Sequence, residues 1–211
     1  MIGTAEITEL LDPFGIRLNG DQTVRLLVYL DLLLKWNAKI SLVGRSSAEE
    51  CVTRHFGESL FLSRCMALKG RLLDIGSGAG FPGLALKITC PDLAVTLLEP
   101  VAKKRAFLKE VIRICQFDQV TVLGQRVEDF SAQLNDSKYD YSTSRAVGGF
   151  TNLIENAAVC IKPGGKLCLW LGHDDAAAIA QSQSPFTWNP PIPIPLSLRR
   201  EILIGEFQQS R

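Results

Sequence analysis

Three glycines in alternation, Gly76, Gly78 and Gly80, follow an acid, Asp74, and a further glycine, Gly83, comes shortly after. Such spacing suits a backbone that grips a small ligand, because glycine adopts positive φ freely and has no Cβ to keep a ligand away. A second acid, Glu99, follows about 20 residues later, where an acidic side chain meets ribose hydroxyls. The two features together favour a ligand that contains adenosine. They leave two ligands open. Gly78, Gly80 and Gly83 spell the dinucleotide fingerprint, whose helix-end amides face a pyrophosphate. Counted from the strand end, the pattern is instead an acid and three alternate glycines, which suits a ligand with a sulfonium and an amino group.

The other residues able to do chemistry are mostly cations. Lys103, Lys104 and Arg105 open a helical pattern, where positive charge opposes the helix dipole. They imply either an anionic partner or a solvated cluster. Arg126 precedes Val127 and Glu128, Arg145 follows Ser144, and Arg54 adjoins His55. His55 suits either packing or an RNA contact, and Trp36 suits either the core or stacking on a base. No Ser-His-Asp or Cys-His constellation stands out. With two histidines and six scattered cysteines lacking any C-x-x-C, no metal site is expected. The cysteines fit a reduced, cytoplasmic core. A net charge of +1 confines any nucleic-acid surface to a local patch. No run is long enough to span a bilayer and no signal peptide is evident, so no membrane partner is expected.

These residues must be held by an α/β framework. An apolar run (Leu72, Leu73, Ile75) ahead of the glycines reads as a buried strand, and Leu84, Leu86 and Ile88 continue as a helix. Ala94 to Leu98 reads as a second strand ending at Glu99, with a helix from Val101 to Cys115 after it. Gln119 to Leu123 is a third strand. The segment from Gln125 to Phe130 is read as a loop where adenine would lie, with an acid to accept its amino hydrogens and Val127 packed on the ring. Tyr139 to Thr143 makes a fourth strand running into Ser144 and Arg145, and Phe150 to Cys160 a helix. Lys162 to Lys166 reads as a turn into strand five, Leu167 to Leu171. A helix from Asp174 to Ala180, a polar linker and two extended segments, Ile192 to Leu198 and Glu201 to Phe207, complete the chain. Prolines confine the first of those segments to an edge. Ahead of the first strand the pattern is helical: Thr4 to Leu11, Gln22 to Trp36 capped by Asp21, a helix from about Ser47, and Ser59 to Leu68. The expected division is a helical extension over residues 1–69 packed on a core of residues 70–211.

Assembled in this order, Lys35-Trp36-Asn37, Arg54-His55, the Asp74 to Gly83 loop, Lys104-Arg105, Arg126-Val127-Glu128, Ser144-Arg145-Ala146 and Pro163-Gly164-Gly165 resemble the bacterial methyltransferases of the glucose-inhibited division protein B family. These modify guanine N7 in small-subunit ribosomal RNA. The resemblance implies a class I S-adenosylmethionine (SAM)-dependent methyltransferase, with a Rossmann-like, seven-stranded, mostly parallel sheet and an N-terminal helical extension. It implies SAM as cofactor and 16S rRNA in the small subunit as partner, at guanine 527 by family likeness. A cytoplasmic monomer is expected. Residue by residue, it implies SAM contacts from Gly76, Phe81, Val127, Glu128 and Arg145, beside Asp74, Gly78, Gly80 and Glu99 from the loop itself. Arg126 and Arg145 fall at the active-site mouth as catalytic candidates, and Arg54, His55, Lys103 and Lys104 as RNA contacts. The chain departs from the family at Glu58, where the pattern has aspartate, at Ser41-Leu42-Val43, and at Leu171, where it has lysine.

Guanine N7 carries an in-plane lone pair and no proton. No general base is needed, which suits a chain whose catalysis would be positioning. The N7 edge lies in the deep, narrow groove of an RNA helix, so the target should be an exposed base. Arg145→Ala is expected to abolish methylation while the fold survives. The alternatives are an NAD-dependent oxidoreductase, a methyltransferase of another substrate, and an RNA-binding module without turnover.

Overall fold

The computed structural model describes residues 2–134, 138–145 and 148–208. Its helices and strands alternate after a helical preface. The preface comprises α1 (Thr4–Leu11), α2 (Gly20–Asn37) and a helical run of α3 (Ala48–Cys51), a π-helical turn (Val52–Gly57), α4 (Glu58–Leu60) and α5 (Leu62–Cys65). There follow β1 (Arg71–Ile75), α6 (Gly83–Leu86), β2 (Ala94–Leu98), α7 (Ala102–Cys115), β3 (Val120–Leu123), α8 (Val127–Gln133), β4 (Tyr139–Arg145), α9 (Phe150–Cys160) and β5 (Ile161–Gly172). The chain closes with α10 (His173–Gln181), β6 (Phe186–Trp188), β7 (Ile192–Pro193) and β8 (Arg200–Phe207).

The sheet order is β3-β2-β1-β4-β5-β8-β6, with β7 also on β8. Strands β1 to β5 are parallel, while β8 is antiparallel to β5. The chain winds outward from β1 to β3, then crosses back to β4. This leaves a crevice where β1 and β4 part at their carboxyl ends, the usual ligand position in an open α/β sheet. The count is eight rather than the expected seven because β6 and β7 share one place along β8, on either side of Pro190 and Pro191. Proline cannot donate to a ladder, and an edge tolerates the gap.

Side chains alternate between two apolar layers, as the strand period of two requires. On β5, Cys168 and Trp170 face the layer shared with the helical preface, α6 and α7, while Leu167, Leu169 and Leu171 face α8, α9 and α10. The first layer joins Ile7, Leu26, Leu33 and Phe56 of the preface to Leu72, Val95 and Leu97 of the sheet. Each such side chain, fully buried, contributes about 1.5–3 kcal/mol. Leu171, at the family's lysine position, is therefore a core residue.

Several boundaries differ from expectation for local reasons. Asn19, not Asp21, caps α2: its side chain accepts from Gln22 N–H at 2.9 Å while the Gln22 side chain accepts from Asn19 N–H at 3.0 Å. That reciprocal pair starts the helix at Gly20. The expected piece from Ser59 to Leu68 is the tail of one run that ends at Cys65. Gln119 has φ +54 and lies outside β3. The expected turn at Lys162 to Lys166 is an irregularity inside β5, where Ile161 pairs with Tyr139 and Lys166 with Tyr141. The short β6 was not foreseen. Among the described residues no helix is long and apolar enough to cross a membrane.

Candidate functional site

At the end of β1 the chain folds over the top of β2. Gly76 N–H and Ser77 N–H both donate to the Leu98 carbonyl, at 2.9 and 3.0 Å, and Gly80 N–H donates to the Ser77 carbonyl at 2.6 Å. Gly76, Gly78 and Gly80 take φ values of 70, 55 and 88°, a region that only glycine enters freely. At Gly80 there is also no room: a Cβ would collide with the Tyr29 hydroxyl and come within 2.9 Å of Leu84 Cβ. Tyr29 rises fully buried from α2, donates to the Ala79 carbonyl and stacks on Phe81 with ring centroids 5.6 Å apart. Gly78 differs. Its Cβ direction is open, with Gly76 O the nearest atom at 3.8 Å, and its N–H donates to Glu99 Oε2 at 2.8 Å.

Glu99 stands at the end of β2, and its other oxygen accepts from Val101 N–H at 2.8 Å. One carboxylate thus ties the glycine elbow to the start of α7, and lone pairs remain for a ligand. Asp74 lies elsewhere. Strand parity sets it on the face of Leu72, beneath α6, where it has 0 % exposure. Thr143 Oγ1 donates to its Oδ1 at 2.7 Å, its Oδ2 is buried without a partner, and a Cβ on Gly83 would lie 2.6 Å from Asp74 Cβ. Burial pushes its carboxyl up to about 6, against the hydrogen bond from Thr143. Asp74, expected among the cofactor-binding residues, is placed as the floor beneath the elbow. Gly83 is likewise spent on packing against Asp74, and α6 spans four residues. No long helix aims its amides as a dinucleotide loop requires.

Opposite the elbow stands a wall made of side chains. Arg145, at the end of β4, donates through Nη2 to the Arg54 carbonyl at 2.6 Å and through Nη1 to the His55 carbonyl at 3.4 Å, both on the π-helical turn. A π turn widens the backbone and is common at functional sites. Glu58 sits between Arg145, 3.2 Å from its Oε2, and Arg200 of β8, which donates to its Oε1. Burial pushes Glu58 up, and Arg145 and Arg200 oppose that shift. His55 stacks on Phe81 at 5.3 Å. Burial first, then Arg145, Arg54 and Arg200, lower its pKa to about 3. His55 is neutral at physiological pH and offers no charge to an RNA phosphate. Of the two expected roles, packing or an RNA contact, the stacking on Phe81 supplies the first, and Arg54 is exposed beside it.

Between elbow and wall is a cleft of about 270 Å³, lined by Leu42, Val43, Gly78, Phe81, Lys104 and Arg145 among others. Of the cations opening α7, Lys104 faces this cleft and Lys103 is exposed. Arg105 is absorbed by the carbonyls of Glu99 (3.0 Å) and Pro100 (2.6 Å). Arg126 is the exposed N-cap of α8. The segment read as an adenine loop is therefore mostly helix. Val127 is buried in its first turn, and Glu128 accepts from Asn152 Nδ2 at 2.8 Å. Ala146 of the Ser144-Arg145-Ala146 match lies outside the described residues.

The roles of three residues escaped the sequence reading, although Asn37 stood in the Lys35-Trp36-Asn37 match. Tyr29 props the elbow, and the only signal was one polar tip within the apolar stripe of α2. Asn37 Oδ1 accepts from Leu42 N–H (2.9 Å) and Val43 N–H (3.0 Å), pinning the loop that walls the cleft. Its signal was an Asn at a helix end, a residue that bonds backbone ahead of it. Glu58 was marked only as a departure from the family. Among the described residues no three His, Cys, Asp or Glu side chains converge as a metal would need.

The family described as rRNA small subunit methyltransferase G matches residues 22–190. The ribosomal RNA small subunit methyltransferase G of Chloroflexus aggregans is 37% identical over 187 residues, 87% of this chain and 79% of that protein. Among solved structures, a ribosomal protein L11 methylase from Lactobacillus delbrueckii superposes with a TM-score of 0.61 at 13% identity, over 74% of this chain and 80% of that one. A SAM-dependent methyltransferase from Aquifex aeolicus superposes with a TM-score of 0.59 at 13% identity, over 71% and 89%. At such identities the structures bear on fold alone, and the fold is that of class I methyltransferases.

Proposed function

We propose, from the premise that this chain belongs to the rRNA small subunit methyltransferase G family, that it methylates N7 of a guanine in 16S rRNA of the small ribosomal subunit. It is an rRNA methyltransferase and SAM is its methyl donor. We further propose that it works in the cytoplasm as a monomer, its residues 1–69 forming the extension that carries the wall. The observation that carries the reading is the elbow itself: a glycine turn with Gly78 open to the cleft and Glu99 fixed at the end of β2.

These residues fit an adenosyl ligand. Gly78 leaves the space a Cβ would fill, and Glu99 keeps unused lone pairs at the strand end where ribose hydroxyls lie. The backbone from Gly76 to Gly80, with Phe81, Glu99, Val127 and Glu128, would hold SAM, while Asp74 supports from below. When bound, SAM supplies an electrophilic sulfonium methyl. The chain's own task is to orient and to exclude water. Leu42 and Val43 close one side of the cleft, and Arg145 and Lys104 give its rim the charge that would draw an RNA phosphate. A neutral His55 is consistent with a nucleophile that has no proton to remove. Arg54, Lys103, Lys104 and Arg126 are the proposed phosphate contacts.

The test is to incubate purified protein and methyl-labelled SAM with small subunits from cells lacking this gene, then to map the label. Label in N7-methylguanosine at one position of 16S rRNA is expected. Label on another atom, or no uptake of SAM by calorimetry, overturns the reading.

A further inference from the structure

The carboxyl edge of the sheet carries one stretch that the site above does not use. Because β8 runs antiparallel to β5, with Arg200 facing Gly172, the turn from β7 into β8 at residues 194–199 emerges at the same edge as the elbow. This turn is braced. Ile194 N–H donates to the Arg200 carbonyl at 3.1 Å, Ser197 N–H to the Ile194 carbonyl at 3.1 Å, and Arg200 N–H to Ser197 Oγ at 3.0 Å. Ile194 itself is buried. Yet the tip holds two leucines in water, Leu196 at 69% and Leu198 at 102% exposure. Leu196 also has φ +61, a region that a branched side chain seldom enters. Strain of that kind on a well-braced turn marks places where function sets the backbone.

The surroundings indicate what the tip meets. A groove of about 390 Å³ separates it from the π-helical turn, with Arg54 on one bank and Arg199 and Arg200 on the other. Glu58 on its floor is matched by Arg145 and Arg200. Of the acids near this edge, Glu201 is taken by His173 at 3.1 Å, and Asp175 faces a different groove, between α9 and α10. Arg54 accepts the Arg145 hydrogen bond on its carbonyl, so groove and cleft flank a single helical turn. Apolar tips on the Arg199 bank, across a groove from Arg54 and beside a cleft that needs an unstacked base, match nucleic-acid proteins that drive leucine between base steps.

We infer that Leu196 and Leu198 form a wedge that enters the rRNA strand next to the target guanine and holds it out of the stack, while Arg54 and Arg199 grip the flanking phosphates. This rests on the proposed rRNA methylation and adds to it a specificity device outside the stretch matched by the family. Leu side chains form no hydrogen bonds, so the wedge contributes unstacking rather than base readout.

The experiment uses the full chain carrying Leu196→Gly and Leu198→Ser together, Leu198→Phe alone, and a 16S rRNA fragment with 2-aminopurine beside the target guanine. Wild type should raise 2-aminopurine emission on binding and methylate the fragment. The double variant should take up SAM as wild type does by calorimetry, keep its melting temperature, fail to raise the emission, and lose at least about tenfold in kcat/KM. Leu198→Phe should retain both signals. A double variant that unstacks and turns over like wild type overturns the wedge. So does one that is impaired on whole subunits yet normal on naked RNA, since the turn would then dock a ribosomal protein. Failure of wild type itself to methylate either substrate strikes the proposed function instead, and the emission signal still reads the wedge.

Discussion

The two sides of the cleft are built from different materials. The elbow from Gly76 to Gly80 is backbone: glycine torsions, amide hydrogen bonds to the Leu98 carbonyl, and one carboxylate binding two N–H groups. The wall is side chains from three distant segments, with Glu58 gripping Arg145 and Arg200. A backbone cradle depends on the few positions where a Cβ is not allowed and is otherwise tolerant. A charged wall depends on each partner, because a buried ion left alone is expensive. Substitutions on the two sides should therefore fail in different ways.

The harshest test of the elbow is Gly80→Val. It forces a non-glycine residue to φ +88 and drives Cβ into Tyr29 and Leu84. Left-handed strain and overpacking together are expected to cost on the order of 4 kcal/mol, with loss of SAM uptake by calorimetry. Gly78→Ala is the milder companion: its Cβ meets open space, so only the strain of φ +55, about 1–2 kcal/mol, is added, and the protein should fold and bind SAM more weakly. Equal melting temperatures for the two variants would mean that the elbow is not held by Tyr29.

On the wall, Glu58→Gln removes the charge shared by two arginines and is expected to lower stability by about 3 kcal/mol, measured by urea denaturation. Glu58→Asp, the residue in the family pattern, should restore part of it. The wall also revises an expectation from sequence: Arg145→Ala now predicts a loss of stability together with the loss of methylation, because it strands Glu58 with Arg200 alone. A Glu58→Gln protein as stable as wild type would reduce the wall to a surface feature.

The same contrast explains what was legible. The elbow is local, so alternating glycines between a strand pattern and a helix pattern revealed it, and Glu99 lay at a fixed distance along the chain. The alternation of strands and helices after Leu72 was legible for the same reason, since parallel neighbours need crossover helices, whereas the order of the strands in the sheet comes from the structure alone. The wall is not local. Glu58, Arg145 and Arg200 carry no spacing signal, and only folding brings them together. Asp74 drew notice by its position in the motif, but that it is floor follows from its parity on β1 and the packing of Thr143 and Gly83 around it. The low pKa of His55 was not legible either, because its burial and the arginines Arg145 and Arg200 come with the fold, beside its neighbour Arg54.

Asp74 gives the elbow a pH signature. Its carboxyl is raised from 3.8 to about 6 by burial, so the folded state holds its proton more tightly than the unfolded chain. The stability this group contributes is fully present below pH 3.8 and is lost as pH rises through about 6. The loss amounts to ~3 kcal/mol. Asp74→Asn abolishes it. The variant's melting temperature minus that of wild type should climb between pH 4 and pH 6 and then level off. His55 acts in the opposite direction: its pKa is lowered from 6.5 to about 3, so its stabilising share is present above 6.5 and is lost as pH falls toward 3. His55 is common to both proteins, so its part cancels from the difference. A flat difference curve would show that Asp74 is not the titrating group.

Glu99→Gln should have the smallest effect on stability, and it probes the independence of the two sides most directly. An amide oxygen can accept from Gly78 N–H or from Val101 N–H, but the –NH₂ group that replaces the second oxygen cannot accept at all. One backbone donor loses its partner, at about 1 kcal/mol. The wall is untouched, since no atom of Glu99 bonds Arg54, Arg145 or Glu58 among the described contacts. SAM affinity by calorimetry should fall at least about tenfold, because a charged acceptor at the ribose is worth more than a neutral one. RNA affinity by fluorescence anisotropy, without SAM, should stay where it was. A parallel fall in both affinities would mean that elbow and wall form one cooperative unit, and that the division by building material does not carry over into binding.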